Sequence, residues 1–124
     1  MLNNRLIQAL MGLLPFTLFV INIVYCFAYL FPSFAVEQGS YPSQDMYESV
    51  FSKLGNLILL SLFSMVVIII SIVYFIIHAL HNPNLNNSNA RIIWILVIVL
   101  VNTFGGMIYW LAEIVAKKPK PIVR

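Results

Sequence analysis

Three long apolar runs, Leu6–Phe31, Leu54–Leu80 and Ile92–Ala112, limit this chain more than any other feature of its sequence. A helix rises about 1.5 Å per residue, so each run reaches or exceeds the roughly 30 Å hydrocarbon thickness of a bilayer. Together they leave no stretch of the 124 residues long enough for a separate soluble core. The second run is rich in Ile and Val, which in a soluble protein suggests strands. A lipid-exposed sheet edge would strand unpaired backbone groups, so helix is expected there too. The pattern predicts an all-α fold: one integral membrane three-helix bundle over 1–124, with spans at about 6–31, 54–80 and 92–112.

Charge marks the borders of these runs. Arg91 and Trp94 stand at one end of the third, and Tyr109, Trp110 and Lys117 at the other, as interfacial belts of basic and aromatic residues do. Only 9% of residues are charged, and the net +3 comes largely from a basic tail over 117–124: Lys117, Lys118, Lys120 and Arg124. Beside a span, such a tail suits anionic lipid headgroups rather than nucleic acid. The single cysteine, Cys26, excludes an internal disulfide. A multi-pass membrane protein is expected.

Along the chain, Pro15 interrupts the first run and should kink it, freeing a carbonyl for a neighbouring helix to satisfy. Ser33-Phe34-Ala35 resembles a small-x-small cleavage site, but the run before it far exceeds the central region of a signal peptide. It is read as a span. The loop 32–53 carries Glu37, Asp45 and Glu48 against Lys53. Asp45 followed by Glu48 resembles a capping box, so a helical lead-in is expected from about Gln44. Pro83 ends the second helix, and Ser88 is the expected N-cap of the third. The sequon Asn86-Asn87-Ser88 is read as coincidence in an asparagine-rich turn.

Helical wheels give each span one small-and-polar stripe: Gln8, Gly12, Pro15, Asn22 and Cys26; Ser61, Ser64, Ser71 and His78; Asn102, Gly105, Gly106, Tyr109 and Glu113. Lipid offers no hydrophobic drive for association, so small residues permit close approach and amides and hydroxyls bond across helices. Gly12, Asn22, Ser64, Ser71, Asn102, Gly105, Gly106 and Tyr109 are therefore the expected packing residues. Asn102, at mid-span, needs an amide or hydroxyl partner from Asn22 or the serines. His78 and His81 have a spacing that two metal ligands could use, but no third ligand lies nearby in sequence. No catalytic set, cofactor or metal site is expected.

From Leu54 to Lys118 the chain resembles the two-span membrane module at the N-terminus of bacterial cardiolipin synthases and other phospholipase-D-like enzymes. The likeness is carried by the long apolar helix, the short polar turn, Arg91-Ile92-Ile93-Trp94, Gly105-Gly106-Met107-Ile108-Tyr109 and the basic stretch beyond. Where that family commonly has a proline before the glycine, this chain has Asn102-Thr103-Phe104. The His-x-Lys-x4-Asp motif of those enzymes occurs nowhere in the 124 residues. The resemblance implies a bacterial cell membrane and an accessory role, and carries over no functional residue.

The expected function is that of a small non-enzymatic accessory or regulatory membrane protein, with the lipid bilayer and a membrane-protein partner or a second copy as its contacts. Immunity against a membrane-active peptide and a small oligomeric transporter or channel are the competing readings. Three spans put the termini on opposite sides. A cytoplasmic C-terminus sets Lys53 and four tail charges inside against Arg5 and Arg91 outside. Local charge across the first span, with Arg5 before it and an acidic loop after it, points the other way. The tail lies closest to its span, so the C-terminus is expected inside.

Overall fold

The structure, a computed structural model, describes residues 2–35, 43–85 and 87–117. Lys118, Lys120, Arg124 and Glu37 lie outside these residues, as does Asn86 of the sequon. The described residues are helical and contain no strand: α1 (Arg5–Tyr25), α2 (Gln44–His81), α3 (Ser88–Leu100) and α4 (Thr103–Tyr109). The all-α expectation is met, with four α-helices in place of three. α1 runs on through a π turn (Cys26–Leu30) and a 3-10 turn (Phe31–Phe34), and α4 through a π turn (Trp110–Val115).

Two of these segments, Arg5–Phe34 and Gln44–His81, are long and apolar enough to cross a membrane. The third expected span is not one helix. The run Ile92–Ala112 breaks at Val101 and Asn102, leaving two short apolar helices, Ser88–Leu100 and Thr103–Val115. Each rises about 20 Å, too little to cross the hydrocarbon layer alone.

Local chemistry explains the helix ends. Ser43, rather than Asp45, opens α2: its hydroxyl accepts from the Met46 amide at 3.3 Å and its carbonyl from Tyr47. Asp45 instead sits in the first turn, where its charge complements the helix dipole. At α3 the cap is Asn87, one residue before the expected Ser88. Its extended backbone lets the side-chain oxygen accept from Asn89 at 3.2 Å.

The chain forms two compact units, residues 2–17 with 66–117, and residues 18–65. In the first, Phe75, Ala79, Leu85, Ile98 and Tyr109 make a buried apolar core. Pro15 is buried and its helix stays continuous. Proline cannot donate to the carbonyl four residues back, and the Ser71 hydroxyl donates to that carbonyl, Met11 O, at 2.6 Å. In the second unit the Asn22 amide joins α1 to α2. Its nitrogen donates to Ser64 Oγ and Leu18 O at 2.9 and 2.8 Å, and its oxygen accepts from Ser61 Oγ at 2.9 Å.

Candidate functional site

The break in the third run makes a helical hairpin. Asn102 has φ 52° and ψ −115°, close to the first central residue of a type II′ turn, and Phe104 N–H donates to Val101 O at 3.3 Å to close it. Beyond the turn the chain doubles back along α3. Gly105 lies so close that a Cβ there would stand 2.5 Å from Val97 O and 2.8 Å from Ile98 Cα. Further down, the Trp94 and Tyr109 rings meet edge to face at 5.3 Å, and Trp94 Nε1–H donates to Glu113 Oε1 at 3.1 Å. Contacts at 98 with 105, 94 with 109 and 94 with 113 are those of antiparallel arms.

At the open end of this hairpin a polar cluster is buried around the Tyr109 hydroxyl. His78 Nδ1 lies 2.9 Å from it and Asn82 Nδ2 donates to it at 3.0 Å. Gln8 donates from one amide nitrogen to Leu2 O and approaches His78 Nε2 at 3.3 Å. The Asn82 amide is a donor to the phenol oxygen, and the direction of the His78–Tyr109 bond follows the imidazole tautomer. Gln8, His78 and Asn82 are each at most 5% exposed and Tyr109 is fully buried. α1, α2, the turn after α2, and α4 are thus tied at one point.

Glu113, also buried, is held separately. Lys117 Nζ approaches both its oxygens at 2.7 and 2.8 Å, one turn along the chain, and Trp94 supplies a further donor. Gln8, His78, Asn82, Tyr109, Trp94, Glu113 and Lys117 each have at least one protein partner. The arrangement is suited to fixing helices in one register.

The expected packing residues fall in distinct places. Gly12 admits the Trp110 side chain, which a Cβ would meet at 3.2 Å, and Gly106 admits the Phe75 ring edge, at 2.8 Å. Ser71 serves the proline-freed carbonyl, Asn22 and Ser64 bond each other, and Tyr109 is the hub of the buried cluster. Asn102 does not sit in a mid-span helix with a partner across the bundle. It is exposed, in the turn, and its side chain makes no capping bond. Lys117 pairs with Glu113. His78 and His81 part company, since His81 is exposed and its Nδ1 lies 2.8 Å from the Ile77 carbonyl. Asn82 and Trp94 were not among the expected packing residues. The spacing of His78 and Asn82, four apart at the end of a helix, was the signal for the first.

In the other unit, Lys53 donates to Ser33 Oγ beside an open cavity of about 350 Å³, whose lining includes Tyr29, Pro32, Met46 and Ser49.

These observations define a small all-α chain with two helices long and apolar enough to cross a membrane, followed by a short apolar hairpin. Residues 59–112 match the family model described as phospholipase D-nuclease N-terminal. The match runs from within α2 through the hairpin and takes in His78, Asn82, Trp94, Gly105, Gly106 and Tyr109. The resemblance noted over Leu54–Lys118 is thereby borne out for its central part. No curated protein and no solved structure matches the chain.

Proposed function

We propose that this chain is a small integral membrane protein that works as an accessory subunit, by packing against a second membrane protein. Support for the membrane setting comes from α2. Only 11% of its most apolar window is buried, whereas the core helix of a soluble protein would be mostly covered. Leu59, Phe63 and Val66 stand open along it. Lipid is the natural cover for such a surface.

The observation that carries the accessory role is the uncovered hairpin turn. Leu100 is 77% exposed, and Val101 and Asn102 are exposed beside it. Non-helical backbone at membrane depth persists where protein or a water-filled cavity covers it, not against lipid. A partner's helices supply that cover. The family match supports the same reading. Its description names an N-terminal part of phospholipase D nucleases, and the His-x-Lys-x4-Asp motif is absent from these 124 residues.

Photo-crosslinking in native membranes tests this. A benzophenone side chain at Leu100 should give one discrete protein adduct, and the same group at Leu59 should give lipid adducts. Lipid adducts alone at both positions would remove the partner. Release of the protein by alkaline carbonate would remove the membrane setting itself.

A further inference from the structure

We infer that the α3–α4 hairpin is re-entrant: it enters and leaves the bilayer through one face, the cytoplasmic one, and gathers most of the described basic residues there. The inference rests on the membrane reading above and adds a topology to it. Its geometry lies within one compact unit. Neither arm is long enough to cross, and the arms are antiparallel, with Gly105 against the Val97–Ile98 backbone and Trp94 on Glu113. The start of α3 and the end of the α4 arm therefore lie side by side, while the apolar tip at Leu100 and Val101 points away from them.

The same end holds the other polar termini of the unit. Gln8, in the first turn of α1, meets His78 in the last turn of α2, and His78 and Asn82 meet Tyr109. Arg91 donates to Leu85 O in the turn joining α2 to α3. Arg5, Arg91 and Lys117 are thus brought to one end, and Lys118, Lys120 and Arg124 follow Lys117 in the sequence. Of the four Lys and Arg residues described, three lie at that end. Two long helices that each cross once put the segment joining them on the opposite side, and the sequence there sets Lys53 against Glu37, Asp45 and Glu48. Lys and Arg near span ends are retained on the cytoplasmic side, so this basic end is inside. The two charge signals that oppose each other in a three-span arrangement agree in this one. The C-terminus keeps its expected side, and the loop before α2 moves outside.

Single cysteines in a Cys26→Ala background, tested in spheroplasts with a membrane-impermeant maleimide, decide it. Ser43→Cys should label in intact spheroplasts. Ser88→Cys and Ala116→Cys should label only after permeabilisation, both together. Leu100→Cys should stay unlabelled until the protein is denatured in detergent. Labelling of Ser88→Cys and Ala116→Cys from opposite sides would restore a third span and overturn the hairpin. Labelling of both from outside would overturn the orientation. Ready labelling of Leu100→Cys in the native protein would put the tip in water and overturn the re-entrant placement. Carbonate extraction of the same variants separates the readings, because a soluble protein fails the membrane proposal before any topology is at stake.

Discussion

Asn102 holds the one positive φ among the non-glycine residues described, at the position of a type II′ turn that glycine prefers. A side chain there costs about 1–3 kcal/mol, less for asparagine than for a branched residue. Asn102→Gly should therefore raise stability by about 1 kcal/mol, and Asn102→Val should lower it by about as much or more. Thermal unfolding in mild detergent reads both. If Asn102 lay inside a continuous helix, glycine would destabilise instead. The adjacent glycines differ in what they touch. A Cβ on Gly105 meets the α3 backbone, which yields only if the arms separate, whereas on Gly106 it meets the edge of the Phe75 ring. Gly105→Ala should cost about 1–3 kcal/mol and exceed Gly106→Ala, since a ring can rotate and a backbone cannot. Leu100→Ala, at an exposed side chain, should cost far less in the same assay. At the hub, Tyr109→Phe keeps the ring packed on Phe75 and Trp94 but leaves His78 Nδ1 and the Asn82 amide without their hydroxyl partner. Each buried polar group left unpaired costs about 1–3 kcal/mol, so a clear loss of thermal stability is expected.

Within α1 and α2 the sequence carried most of what the structure contains. The apolar runs, Pro15 and the serine stripe were all readable, because hydropathy and the 3.6-residue period act locally. The pairing of Pro15 with Ser71 makes a measurable cycle. Ser71→Ala should cost about 1–3 kcal/mol, because the Met11 carbonyl then has no donor. Pro15→Ala supplies the missing amide, so Ser71→Ala should cost markedly less in that background. Equal costs in the two backgrounds would mean the hydroxyl is not compensating for the proline. The third run was misread for a physical reason. Hydropathy sums over Ile92–Ala112 satisfy the length of a span and say nothing about φ, so a chain that turns back gives the same total as one that goes on. The available cue was Asn102-Thr103 just before Gly105-Gly106, with a residue that tolerates positive φ ahead of two that admit close neighbours, the α3 backbone at Gly105 and the Phe75 ring at Gly106. The buried cluster was half legible. Gln8, His78 and Tyr109 were placed on inward stripes, but their meeting with Asn82 depends on how the turn after α2 folds, which no periodicity records.

For the molecule as a whole, membrane residence rests on apolar area and its orientation on charge, and the two are separable. Replacing Lys117, Lys118, Lys120 and Arg124 by glutamine should leave the protein in the carbonate-resistant pellet, since each contributes at most about 1 kcal/mol of headgroup attraction beside two long apolar helices. Protein in the supernatant would show that the tail, not the helices, holds it. The hairpin bears on how the chain is inserted as well as on how it rests. On the re-entrant topology proposed above, α3 and α4 return to the side they left, and Lys117 would never cross the hydrocarbon. On that topology only the connection between the two long helices would be translocated. A module inserted this way would keep the end of α4 on the side where α1 begins, as a third and a fourth crossing together would with a longer run of residues.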